Sequence, residues 1–164
     1  MGVRSEDATF MRRAIGLALL AEREGNLPVG AVITLHGEVV AEGRNAVWAP
    51  RFDATRHAEM EAIRAVPADL WGSSEEMSLY TTLEPCLMCF GAILLHGIGR
   101  VVFGSSDSYG GAGPVLPHLS PFFQQWFEDT EWLGPTMPSE CDPLLERLLA
   151  LEEARRGQRQ AEDA

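Results

Sequence analysis

Two short stretches, His57-Ala58-Glu59 and Pro85-Cys86-Leu87-Met88-Cys89, offer one imidazole, two thiols and one spare carboxylate. Cys86 and Cys89 are three apart, a spacing that puts both on one face of a helical turn. Pro85 suits the start of that helix, where its missing N–H costs nothing. A helix start favours thiolate through its unpaired N–H groups and the positive end of its dipole. Thiolate is the form that zinc takes. His57, Cys86 and Cys89 are therefore expected to hold a zinc ion. Three protein ligands leave the fourth tetrahedral position to water, as in catalytic rather than structural zinc sites. The third cysteine, Cys141, lies far downstream beside Asp142 and Pro143 and is expected to stay outside the shell. Two thiolates and a neutral imidazole already offset the charge of the ion. Water there is then acidified less than at an all-imidazole site, and a nearby base is needed. Glu59 is the nearest carboxylate in sequence and is the expected catalytic group. Residues two apart do not share a helix face. His57 is thus placed at a helix cap, with Glu59 in the first turn.

Several elements must position these groups. Asp7 to Glu24 carries Phe10, Ala14, Leu17 and Ala21 at helical spacing, and Gly25-Asn26 is a stop signal. Val29 to Leu35 and Glu38 to Glu42 are apolar, β-branched runs separated by His36-Gly37, the format of a two-residue hairpin with His36 exposed at the turn. A loop containing Trp48, Pro50 and Phe52 leads into a helix over 57–66, and a second loop covers 67–76. Ser78 to Leu83 reads as a strand that delivers the chain to Glu84, Pro85 and Cys86. Glu84 is expected to orient its neighbours rather than react. Residues 86–96 read as a helix ending at Gly97, with His96 as a terminal cap, and Arg100 to Gly104 as a buried strand. This alternation predicts a mixed sheet with helices on both faces. Phe122, Phe123, Trp126 and Phe127 recur at helical spacing after Ser120-Pro121, with Trp132 beyond. This aromatic stripe reads first as core packing, with a pocket wall or a subunit contact as alternatives. A closing helix over 142–155 turns Leu144, Leu145, Leu148 and Leu151 inward, and residues 156–164 read as a polar, disordered tail. Residues 1–155 are expected to form one domain.

His-x-Glu followed by Pro-Cys-x-x-Cys matches the pattern of zinc deaminases. With it stand Leu27-Pro28-Val29-Gly30-Ala31-Val32, Glu42-Gly43-Arg44-Asn45, Thr82-Leu83-Glu84 and Gly99-Arg100-Val101-Val102-Phe103-Gly104. On these residues, from about Phe10 to about Gly113, the chain resembles the cytidine deaminase-like superfamily. The likeness is to the branch of bacterial tRNA adenosine deaminases, guanine deaminases and fungal-type cytosine deaminases. The resemblance implies a three-layer α/β/α fold around a mixed five-stranded sheet, a zinc cofactor, Asn45 as a substrate-binding residue and a homodimer. It also implies hydrolytic loss of ammonia from an amino-substituted ring. Water attacks the amino-bearing carbon while Glu59 moves the protons.

The ring itself is open. The tRNA-acting enzymes carry basic residues in the loop after Gly104, whereas this chain has Ser106 and Tyr109 around Asp107. The net charge is −11, and every one of the 13 basic residues is Arg. Nucleic-acid affinity comes largely from basic contacts to phosphate. The expectation is therefore a free guanine-, cytosine- or triazine-like base. The alternative is adenosine in tRNA, with Arg44, Arg51 and Arg56 flanking the site, or a free nucleoside. A zinc-stabilised interaction module is the non-enzymatic rival, and it leaves both Glu59 and the open coordination position without a role. Three cysteines with two assigned to metal make no disulfide framework, and the polar N-terminus does not read as a secretory signal. No apolar run is long enough to span a bilayer, so a cytoplasmic protein is expected.

Overall fold

The computed structural model describes residues 2–162. The elements run α1 (Asp7–Arg23), β1 (Gly30–Leu35), β2 (Glu38–Arg44), α2 (Ala58–Ala65), β3 (Met77–Leu83), α3 (Leu87–Leu95), β4 (Arg100–Ser105), α4 (Pro121–Glu128), β5 (Glu131–Leu133) and α5 (Pro138–Glu162). The strands form one mixed sheet in the order β2-β1-β3-β4-β5. β1 pairs antiparallel with β2 and β3, while β3–β4 and β4–β5 are parallel. The hairpin forms as expected: His36 and Gly37 both have positive φ, at 52° and 80°, the backbone of a type I′ turn. His36 is exposed and pairs with Glu76 at 2.8 Å.

Alternation along the strands sends side chains to two cores. Ala31, Ile33, Leu79 and Val101 pack against Ala62 and Ile63 of α2 and Ile93 of α3. Val32, Tyr80 and Val102 face Met11 and Ala14 of α1 on the other side. The buried stripe of α1 runs through Met11, Ala14, Ala18 and Ala21, one step round from the expected Phe10 and Leu17, which are half-buried. Small residues on this stripe let α1 lie close to the sheet. A methyl group added at Gly30 would sit 2.1 Å from the Ala14 carbonyl oxygen. Below α1, Asp7 and Arg100 form a buried two-point ion pair at 2.8 and 2.9 Å, and the Tyr80 hydroxyl also donates to Asp7 at 3.0 Å.

Three expectations are corrected. The segment 67–76 is a run of 3-10 turns over Ala68–Glu76 rather than an irregular loop. The helix of the second motif begins at Leu87, with Cys86 as its extended N-cap residue. The expected fifth strand is the three-residue β5, which joins β4 through Trp132. Residues 156–162, expected as disordered tail, continue α5 to Glu162; residues 163–164 lie outside the described residues. An i,i+4 contact from Arg156 to Glu152 and the stacking of Arg155 on Trp48 support the helix at the point where it was expected to end. The aromatic stripe is divided. Phe123, Phe127 and Trp132 pack on Phe90 and Leu94 of α3, whereas Phe122 and Trp126 are exposed. Among the described residues no helix is long and apolar enough to cross a membrane.

Candidate active site

His57 is the N-cap residue of α2, extended at φ −70° and ψ 155°, and Cys86 holds the same place on α3 at φ −69° and ψ 171°. Both helices start beside the mixed sheet and aim their first turns at one point. Cys89, one turn into α3, completes the group. His57 Nδ1 lies 3.6 Å from the sulfur of Cys86 and 3.6 Å from that of Cys89, and the three ligand atoms all fall within 4.8 Å of one another. A tetrahedral zinc at ordinary Zn–S and Zn–N lengths separates nitrogen from sulfur by about 3.6 Å. The donor set is thus already spaced for the metal. Cys141 is buried in the opposite core, against α1 and beside Gly104, and is not part of the cluster.

The thiols share protons as a metal-ready pair does. The Cys86 thiolate is favoured by its hydrogen bonds with Cys89 and then His57, against burial, and its pKa falls to about 4. Cys89 is correspondingly pushed up by its bond to Cys86 and by burial, so its proton must leave when metal binds. His57 is raised, first by its bond to Cys86. Glu59 is 3% exposed, and burial raises its pKa. Its Oε1 accepts from the Thr81 hydroxyl at 2.9 Å and its Oε2 from the Cys89 thiol at 3.4 Å, which sets the carboxylate at the edge of the cluster. The close approach of β2 to α2 fixes this geometry. A methyl group at Gly43 would lie 2.1 Å from the Ala58 carbonyl oxygen and 2.3 Å from the Ala62 nitrogen.

His57, Glu59, Cys86 and Asn45 border a cavity of about 450 Å³. Asn45 is buried, and its Oδ1 accepts from the Val47 N–H at 3.2 Å. Two loops form the walls. Asn26 Oδ1 accepts from Trp48 N and Ala49 N, both at 2.9 Å, and so holds the 46–56 loop, whose Trp48 and Phe52 line the cavity. Glu84 holds the loop after β4, accepting from Asp107 N at 3.0 Å and Gly113 N at 2.8 Å, an orienting role of the kind anticipated for it. Asp107 in turn caps Tyr109 N and Gly110 N at 2.9 Å each. Two features had no sequence signal. Thr81 reads as one more β-branched strand residue, and the closing helix reads as ending at 155 with its leucines turned inward and a polar tail beyond. Yet Leu148, Leu149, Glu152, Arg155 and Arg156 line the mouth. His96 caps α3 through Ala92 O at 2.8 Å, away from the cluster.

A three-layer α/β fold with a His-Cys-Cys cluster and a buried carboxylate at the foot of a base-sized cavity defines the class of zinc-dependent deaminases. Residues 4–105 match the family described as the cytidine and deoxycytidylate deaminase zinc-binding region, and the chain belongs to that family, within the cytidine deaminase-like superfamily. It is 34% identical over 145 residues to the tRNA-specific adenosine deaminase of Bacillus subtilis, covering 86% of this chain and 87% of that one. It is 39% identical over 145 residues to the tRNA-specific adenosine deaminase of Buchnera aphidicola, covering 87% and 88%. A solved structure described for A-to-I editing by tRNA:A34 deaminases at the wobble position superposes with a TM-score of 0.63 at 34% identity, covering 71% of this chain and 92% of that one. A guanine deaminase from Nitrosomonas europaea shares the fold, with a TM-score of 0.72 at 20% identity over 92% and 87% of the two chains. The chain is accordingly a zinc-type hydrolytic deaminase.

Proposed function

We propose that this enzyme deaminates an adenine ring carried by tRNA, converting adenosine to inosine with uptake of water and release of ammonia. The observation that carries the reading is the 34–39% identity to tRNA-specific adenosine deaminases across more than four-fifths of the chain. It replaces the free base expected from charge and loop composition. His57, Cys86 and Cys89 hold zinc, which when bound supplies the Lewis acidity that makes water a nucleophile near neutral pH. Glu59, positioned by Thr81, takes a proton from the attacking water and gives it to the ring nitrogen beside the amino-bearing carbon. It then carries a second proton to the departing amine. Asn45 orients the ring through its carboxamide, which can donate and accept. Residues 1–155 act as one catalytic domain, in a cytoplasm that keeps Cys86, Cys89 and Cys141 as thiols. A homodimer is supported by the apolar side chains that α3 and α4 leave exposed, Leu87 and Leu95 on the first and Phe122 and Trp126 on the second.

One observation favours a second reading, a free base of guanine type. The cavity is roofed by α5, and two of the arginines expected to meet RNA are already paired, Arg44 with Glu24 and Arg56 with Glu61, each at 2.7 Å. The test is to offer an anticodon stem-loop with adenosine at the wobble position alongside free guanine, cytosine and adenine, measuring inosine and ammonia. Inosine in the stem-loop supports the first reading, and ammonia from free bases alone supports the second. Zinc-replete protein that releases ammonia from none of them refutes both.

A further inference from the structure

α5 lies against the sheet through Cys141, Leu144 and Leu148, all buried. Beyond Leu148, Leu151 still packs on the edge of the core, while Leu149, Glu152, Arg155 and Arg156 line the cavity, with Glu152 and Arg155 half-buried. Two contacts hold these turns in place. The Arg155 guanidinium lies over the Trp48 ring, 4.1 Å from its centroid. Arg156 lines the same mouth as Tyr109, whose hydroxyl is its electrostatic partner there. Trp48 belongs to the loop that Asn26 ties down and Tyr109 to the loop that Glu84 ties down. The helix therefore spans the mouth between two anchored walls.

Arginines at the mouth of such a cavity suggest a phosphate contact, but both guanidiniums are already engaged within the chain. The Glu152 carboxylate stands one turn before Arg156, 3.4 Å from it, and would repel an incoming phosphate. We infer that Arg155 and Arg156 are specificity-determining residues that latch the last turns of α5 across the cavity, admitting a compact ring and making a polynucleotide wait for those turns to swing aside. The inference rests on the deaminase reading of the site but not on which ring is the substrate. Each contact is of modest strength at a wet surface, so together they disfavour the open form by about fivefold to fiftyfold.

The test compares the zinc-loaded full chain with R155A/R156A and with Y109F, which removes only the acceptor hydroxyl. Hydrogen exchange over 149–158 is measured, together with kcat/KM for the adenosine stem-loop and for a free base. Faster exchange in R155A/R156A, a smaller increase in Y109F, and a higher ratio of stem-loop to free-base kcat/KM are expected. Exchange unchanged within twofold overturns the latch, whether or not either substrate reacts. A ratio that falls in R155A/R156A while Y109F stays at the wild-type value also overturns it, because that outcome marks a phosphate contact. Absence of turnover in every form, with exchange accelerated, refutes the substrate readings and leaves the latch standing.

Discussion

Gly43 links the sheet to the chemistry, and replacing it with alanine tests that link. The added methyl group would sit 2.1 Å from the Ala58 carbonyl oxygen, about 1.3 Å short of the 3.4 Å at which ordinary contact begins. The neighbour is helix backbone, which no side-chain rotation can move aside, so α2 must lift from β2 at its first turn. That turn carries His57 and Glu59. Metal sites tolerate ligand displacements of about 0.2 Å, so a shift near 1 Å breaks the match between His57 and the two sulfurs. Overpacking of this kind costs about 1–3 kcal/mol, or about 2–12 °C in Tm for a chain of this size. Zinc affinity is expected to fall about 10–100-fold, the loss usual when a ligand's support is disturbed. Gly30→Ala is the control. Its methyl group would meet the Ala14 carbonyl oxygen of α1 at the same 2.1 Å, on the face of the sheet away from α2. Thermal unfolding by circular dichroism and zinc competition with a chromophoric chelator report the two effects separately. Both variants should melt earlier, and only Gly43→Ala should bind zinc more weakly. Equal zinc affinities in the two variants would refute the claim that the β2–α2 approach positions the ligands.

Three further outcomes are expected. Glu59→Gln preserves the shape and the Thr81 contact, so it should keep one zinc per chain while kcat drops about 10²–10⁴-fold; elemental analysis beside an ammonia assay checks both, and a near-normal rate would falsify the proton shuttle. Cys86→Ala should lose the metal, and stoichiometric zinc in that variant would remove Cys86 from the ligand set. Asp7→Asn should destabilise by about 3 kcal/mol, because it breaks a buried pair with Arg100. Burial opposes the Asp7 charge, but the bonds from Arg100, the Arg4 N–H and Tyr80 outweigh it, and its pKa falls below the ordinary 3.8. The folded-state pKa is depressed, so the wild-type advantage is full above about pH 4 and fades as pH drops through the folded value. Urea unfolding of both proteins across pH 2–7 reads this convergence, and a constant difference would refute it.

The chain's local chemistry was enough to single out the His-Cys-Cys group that the fold brings together, the carboxylate beside it, the hairpin and the mixed sheet. Cys86 and Cys89 are tied by spacing within one turn, Glu59 and His57 by two residues, and His36-Gly37 by a turn type that only positive φ satisfies. Such features depend on neighbours in sequence, so they survive without a fold. Thr81 meets Glu59 across 22 residues, Arg100 meets Asp7 across 93, and Arg155 reaches Trp48 from the far end of the chain. These pairings exist because strand order and helix direction bring distant backbone together, and no periodicity records that. The same holds for α5. Its inward leucines announced a packed helix, but whether its last turns pointed to solvent or across the cavity depended on where the sheet ended and the two anchored loops began.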